Sequence, residues 1–164
     1  MMYKSATYGD LELDMVPEKI RDYYNKMKHY QTPIKITIGS DSQNFDKLKV
    51  VNVIAVTCEG HGGIFFYEIT RLDRTNDVRR KLTIETNESL QAAMKLTEIF
   101  EGAGYREFRE NVSLAIHIDA GWSETGKTKE LIPELVGWIK GMGYDCEVKP
   151  DSYAASAIAD KLSK

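Results

Sequence analysis

The sequence has little cysteine and no long apolar run. Cys58 and Cys146 are its two cysteines; they lie far apart, outside any CxxC motif or cysteine–histidine cluster. We therefore expect neither a zinc site nor a disulfide framework. No window approaches the roughly 18 consecutive apolar residues that a membrane-spanning helix needs. The first residues also lack the apolar core of a signal peptide, so we predict a cytoplasmic protein.

The sequence also has no excess of positive charge. Its 164 residues include 22 Lys and Arg against 25 Asp and Glu, which gives a formal net charge of −3. This balance disfavours a protein that coats nucleic acid non-specifically, although a local basic patch could still bind a phosphate backbone. The length predicts one domain over residues 1–164, in which residues 1–33 form an N-terminal helical extension packed on the rest.

The hydrophobic patterning predicts an α/β fold with a mixed five-stranded sheet. A helix is predicted over 16–30, and three β-branched and aromatic runs at 34–40, 50–58 and 64–72 predict an antiparallel meander. The remaining elements are a helix, a strand, a helix, a strand and a terminal helix, the first four at 84–103, 112–119, 127–142 and 145–149. This order predicts two right-handed βα crossovers, with helices on both faces of the sheet.

The segment from Val112 to Lys129 contains two competing chemical features. Asp119 ends a predicted strand, which is where the ligands of open α/β sheets bind. The second feature matches the phosphate-binding pattern GxxxxGK followed by Ser or Thr, through Gly121, Gly126, Lys127 and Thr128. Only about 36 residues follow it, too few for the further parallel strands of a nucleotide-hydrolysing fold. We therefore favour a chance match, or a turn whose Lys127 neutralises a substrate phosphate, over ATP binding.

Four acids occupy similar places in the predicted elements. Asp41 and Asp119 follow the first and fourth predicted strands, Glu85 begins the inward face of the long helix, and Asp151 precedes the last helix. If the first and fourth strands are neighbours, Asp41 and Asp119 lie side by side and require a counter-charge. A divalent cation provides that charge, and a ligand set of carboxylates alone favours Mg²⁺ or Mn²⁺ over zinc.

The segments around these acids resemble a known family. GSDSQ at 39–43, IET at 84–86, HIDAG at 117–121 and KPDSYAAS at 149–156 are similar to the ribonuclease H-like fold, and within it to the small bacterial YkuK family of uncharacterised proteins. The resemblance runs from about Ile34 to the end of the chain. It implies a nuclease-like protein that uses three or four acids to bind two Mg²⁺ or Mn²⁺ ions and acts on nucleic-acid phosphodiester bonds.

The resemblance also implies a role for each acid. Asp41 and Asp119 would bridge the two metal ions. Glu85 would bind one of them, with Glu88, one turn along the helix, as the alternative. Asp151 would complete the site, although an aspartate before a helix is ordinarily an N-cap.

Nearby cations and a histidine provide further candidates. The basic segment 71–81 precedes Glu85 and either grips the substrate backbone or is a solvated connection. The candidate phosphate contacts are Arg79, Arg80, Lys127 and Lys149. His117 shares the predicted face of Asp119, but a lone strand histidine is more often a packed, hydrogen-bonded residue than a proton shuttle. The alternative to a nuclease is a non-catalytic module of the same fold that binds nucleic acid or protein.

Overall fold

The computed structural model describes residues 1–121, 125–149 and 154–164. The strands in these ranges are β1 (Met2–Ser5), β2 (Gly9–Glu12), β3 (Ile34–Asn44), β4 (Leu48–Cys58), β5 (Gly63–Leu72), β6 (Val112–Gly121) and β7 (Asp145–Lys149). The α-helices are α1 (Val16–Met27), α2 (Val78–Phe100), α3 (Arg106–Asn111), α4 (Gly126–Gly141) and α5 (Ala154–Ser163). Within the same ranges, no helix is both long and apolar enough to cross a membrane. A cytoplasmic location stays a prediction.

The strands form one mixed sheet in the order β2-β1-β5-β4-β3-β6-β7. Strands β3, β4 and β5 are an antiparallel meander, whereas β6 runs parallel to β3 and β7 runs parallel to β6. The predicted α/β class, the meander and the two parallel additions are therefore confirmed. The predicted number of five strands was wrong, because β1 and β2 pair with each other and β1 joins the meander at β5. Each has only four residues, too few to show a clear alternation in sequence.

One face of the sheet carries a large apolar core. Helices α1, α2, α3 and α4 contribute to it together with the alternate side chains of the central strands. Its fully buried members include Ile20, Ile38, Ile54, Phe66, Leu96, Ile116, Ile132 and Ile139. Burying one such side chain contributes about 1.5–3 kcal/mol, so this core is the main source of hydrophobic stabilisation.

The opposite face is covered, among the described elements, by α5 alone. The buried cluster there is small and consists of Val51, Val53, Ala55, Ala155 and Ala159. The β4 members alternate with Ile54 and Val56, which point into the large core, as successive strand side chains must. Helix α5 crosses β3 and β4 and also contacts β6. It therefore lies over the neighbouring strands that carry Asp41 and Asp119.

Helix α2 begins earlier than its apolar pattern predicts. It starts at Val78 rather than near residue 84, because Asp77 is its N-cap and accepts a hydrogen bond from the backbone N–H of Arg79 at 2.9 Å. Arg79 and Arg80 therefore lie in the first turn of a helix and not in a polar connection. Glu85 sits almost two turns into α2, and its side chain is partly buried.

Candidate metal site

Three carboxylates from different elements meet near the carboxyl ends of β3 and β6. Asp41 lies within β3, which continues to Asn44, so the prediction that Asp41 follows the end of this strand was wrong. Asp41, Asp119 and Asp160 each offer one oxygen, and these oxygens lie within 4.8 Å of one another. The parallel register of β3 and β6 pairs Gly39 with His117. Asp41 and Asp119 follow two residues later on their strands, so they share the face of that pair. Asp160 reaches the same point from α5.

Asp160 is the member of this cluster that the sequence interpretation missed. Its Oδ2 also lies 3.0 Å from Nζ of Lys164, which is four residues further on and directly follows the end of α5. This spacing is typical of an exposed helical ion pair, so the sequence pattern alone does not indicate a site. The signal that was available is its place next to Ala159, an apolar position on the face of α5 that packs on the sheet. Asp151, the acid predicted for this end of the chain, lies outside the described residues.

Glu85 approaches the cluster from α2. Burial is the largest cause that raises its pKa, and the charges of Asp41 and Asp119 raise it further, whereas Lys81 opposes them. Glu88 has a different surrounding: after burial, the charge that raises its pKa belongs to Glu68. Of the two predicted alternatives, Glu85 is therefore the helix acid that interacts with the two strand carboxylates.

The surroundings of Asp41 perturb the pKa of its carboxyl group. Burial raises its pKa to about 6; a hydrogen bond from Ser163 opposes this rise, and the neighbouring Asp119 adds to it. The Ser163 hydroxyl donates to Asp41 Oδ2 at 2.6 Å. The raised pKa means that a negative charge on Asp41, beside that of Asp119, is costly without a cation. This is the electrostatic condition of a metal site.

The four predicted phosphate contacts occupy different surroundings. Lys149 Nζ lies 3.1 Å from Asp119 Oδ1, and the lysine side chain is half exposed. Arg79 donates to both carboxylate oxygens of Glu134 on α4, at 3.0 and 2.8 Å. Arg80 and Lys127 are exposed, in the first turns of α2 and α4. Of these four cations, Lys149 is therefore the one that reaches the acid cluster.

His117 is buried on the face that carries Asp119. Its Nε2 lies 3.2 Å from Glu147 Oε2, and the other carboxylate oxygen of Glu147 forms an ion pair with Lys35. Burial lowers the pKa of His117, and the charge of Glu147 opposes this effect. The lowered pKa favours the neutral imidazole. This environment is that of a packed histidine with an acidic neighbour.

The donor set fits a hard divalent cation. The side chains that meet at the cluster offer carboxylate oxygens, and no cysteine or histidine belongs to the cluster as found in the described residues. Oxygen donors of this kind suit Mg²⁺ and Mn²⁺, whereas structural zinc sites use sulfur and nitrogen. Asp41, Asp119, Asp160 and the adjacent Glu85 are the residues able to hold such an ion.

Comparison with known proteins agrees with this architecture. The model of the family described as "Ribonuclease H-like" matches residues 15–164. The uncharacterized protein YkuK of Bacillus subtilis (strain 168) is 30% identical over 176 residues, which cover 99% of this chain and 97% of YkuK. The catalytic domain of Mos1 transposase, solved with raltegravir and Mn, is 11% identical with a TM-score of 0.32, over 93% of this chain and 70% of that chain. By the family match and the relative, the chain belongs to the ribonuclease H-like family and is of the YkuK type.

Proposed function

We propose that the protein is a metal-dependent nuclease that hydrolyses nucleic-acid phosphodiester bonds at the cluster of Asp41, Asp119 and Asp160. The observation that carries this proposal is the approach of three carboxylate oxygens to within 4.8 Å of one another, at the ends of two neighbouring parallel strands. Carboxylates this close require a counter-charge to stay ionised. The family to which the chain belongs makes phosphodiester hydrolysis the chemistry to test first.

The acids have distinct roles in this proposal. Asp41 and Asp119 would hold two Mg²⁺ or Mn²⁺ ions between them, and Glu85 would help to hold one of these ions. Asp160 takes the role that the sequence interpretation gave to Asp151, which stays a candidate for a further ligand. When bound, the ions supply an activated water and stabilise the leaving oxygen. The protein itself orients the carboxylates and, in the described cluster, offers the ions carboxylate oxygens rather than sulfur or nitrogen ligands.

Lys149 is the best supported phosphate contact. Its ammonium group is 3.1 Å from Asp119 and its side chain is half exposed, so a phosphate that approaches the cluster meets it. Arg80 and Lys127 are exposed and accessible to more distant phosphates, whereas Arg79 must first leave Glu134. A flexible ammonium suits this role, because it binds phosphate as a point charge.

The first experiment is Mn²⁺ titration by calorimetry, followed by cleavage assays on single-stranded, duplex, hybrid and branched substrates. We expect Asp119→Asn to abolish Mn²⁺ binding and Mn²⁺-dependent cleavage, because the amide removes a negative charge that the cation requires. Asp46→Asn is the matched control, since Asp46 is an exposed aspartate in the β3–β4 turn and is not a member of the cluster. Unchanged cleavage by Asp119→Asn would contradict the proposal.

The Lys149 contact also favours a second candidate, a non-catalytic nucleic-acid-binding module. An ammonium 3.1 Å from Asp119 already neutralises part of the cluster's charge. In that case the wild type does not bind millimolar Mn²⁺, but it still binds nucleic acid, and Lys149→Met weakens that binding. The calorimetric titration therefore separates the two candidates before any substrate is known.

A further inference from the structure

The last turn of α5 is attached to the acid cluster by a buried hydroxyl. Ser163, the final residue of α5, is fully buried. Its hydroxyl donates to Asp41 Oδ2 at 2.6 Å, and the carbonyl oxygen of Asp160 lies 3.0 Å away. A short hydrogen bond from a hydroxyl to a buried carboxylate is among the stronger kinds in proteins. Ser163 therefore links one carboxylate of the cluster to the helix that carries another.

A second contact fastens the same turn from the sheet. Lys49 on β4 donates from Nζ to the backbone carbonyl of Leu162 at 2.7 Å. The last four carbonyls of a helix have no partner within the helix, so a cation from outside satisfies one of them. Two hydrogen bonds thus attach the last turn of α5 to the sheet. One joins Ser163 to Asp41 on β3, and the other joins Leu162 to Lys49 on β4.

The apolar packing of α5 is comparatively small. Its buried contacts with β4 come from Ala155 and Ala159, with Ile158 and Leu162 partly buried beside them. Alanine removes little apolar area from water compared with leucine or isoleucine, so these contacts stabilise the position of α5 only modestly. The polar contacts of the last turn therefore have a large share in deciding where Asp160 lies.

We propose that Ser163 is a positioning residue of the metal site. It orients the carboxylate of Asp41 and, through the last turn of α5, keeps Asp160 beside Asp41 and Asp119. This inference rests on the proposed function, because it concerns the same cluster. Ser163 acts through the ligands, since its hydroxyl is already engaged by Asp41. Its loss misplaces two carboxylates at once.

The test is the Mn²⁺ affinity of Ser163→Ala, measured by calorimetry on the full chain. We expect the dissociation constant to rise about 10-fold, because removing a hydrogen bond that orients a metal ligand typically costs 10–100-fold in affinity. The matched control is Ser89→Ala, which removes another buried helix serine whose hydroxyl lies 2.8 Å from that of Ser40 and does not touch the cluster. It should lose stability but keep the wild-type affinity for Mn²⁺.

Hydrogen exchange supplies a second readout, independent of cleavage. Mn²⁺ should slow exchange of the α5 amides in the wild type and in Ser89→Ala, but much less in Ser163→Ala. If Ser163→Ala does not fold, Lys49→Met removes the other attachment of the last turn, and we expect about 3-fold weaker Mn²⁺ binding, smaller than a change at a direct ligand partner.

The outcomes separate the two proposals. Wild-type Mn²⁺ affinity in a folded Ser163→Ala protein would overturn the positioning role and leave the proposed function intact. If Ser163→Ala does not fold, wild-type Mn²⁺ affinity in Lys49→Met overturns the role of the last turn. A wild type that does not bind Mn²⁺ contradicts the proposed function and the role of Ser163 together.

Discussion

The two faces of the sheet differ in how they are covered and in what they carry. One face holds a large core of isoleucine, leucine and phenylalanine beneath four helices, whereas the other holds a small valine and alanine cluster beneath α5. The side chains of Asp41 and Asp119 meet Asp160 on the second, thinly covered face. Charged groups are costly to bury, so they concentrate where they least disturb the apolar core.

The other charged side chains on the thinly covered face also interact with one another. Glu147 interacts with both His117 and Lys35, and Lys149 interacts with Asp119. Each buried or half-buried charge of this group therefore has a partner of opposite sign or a polar neighbour. Most of the apolar burial therefore lies on one face and the candidate metal site on the other, so mutations can test the two faces separately.

The largest expected effect is a loss of stability when the large apolar core is changed. Phe66 is fully buried and its ring is stacked parallel to Tyr8, with centroids 6.1 Å apart. We expect Phe66→Ala to lower the free energy of unfolding by about 3–5 kcal/mol, as large-to-small core changes do. Ile158→Ala, on partly buried α5, should cost only about 1 kcal/mol. Urea denaturation measures both, and equal losses would contradict the difference between the faces.

The next effect is a gain of stability on the other face. In EDTA above pH 6, Asp41→Asn should raise the free energy of unfolding by up to about 3 kcal/mol, since the pKa of Asp41 is raised from 3.8 to about 6 and each unit corresponds to about 1.4 kcal/mol. An asparagine oxygen still accepts the hydrogen bond from Ser163. Thermal and urea unfolding at several pH values measure the gain.

The pH dependence has a definite sign. A raised carboxyl pKa means that the folded wild type binds the proton more tightly than the unfolded chain, so its stability falls as pH rises from about 3.8 to about 6. The advantage of Asp41→Asn is therefore full above pH 6 and absent below 3.8. Asp46→Asn, at an exposed site, is the control. An Asp41→Asn protein that is less stable than the wild type at pH 7.5 in EDTA would show that the charge of Asp41 does not destabilise the fold.

The smallest expected change in stability concerns an ion pair between α2 and α4, two helices on the face that carries the large apolar core. Arg79 and Glu134 are both exposed, although the two hydrogen bonds between them are well formed. Arg79→Ala should change the free energy of unfolding by less than about 1 kcal/mol, as exposed pairs do. Its effect on nucleic-acid affinity, measured beside exposed Arg80→Ala, reports whether α2 contributes to phosphate binding. A stability loss of several kcal/mol would show that the pair is structural.

Much of the fold was predictable because it follows from local patterns. The β-branched runs of β3, β4 and β5 and their order predicted the meander, and the position of Asp119 at the end of an apolar strand indicated the site. The start of α2 was misplaced because Asp77 precedes several polar residues, which hide the helix from an apolar pattern. Strands β1 and β2 were missed because four residues show too little alternation.

The sequence by itself determined the fold class. It also placed Asp41 beside Asp119 on the condition that the first and fourth predicted strands are neighbours, and the structure meets this condition. Only the tertiary structure decided that Glu85 rather than Glu88 interacts with these acids, and that Asp160 joins them. The physical reason is that the orientation of a helix on a sheet is set by packing and by contacts such as that of Ser163 with Asp41. Residues far apart in the chain make these contacts, and no local pattern records them.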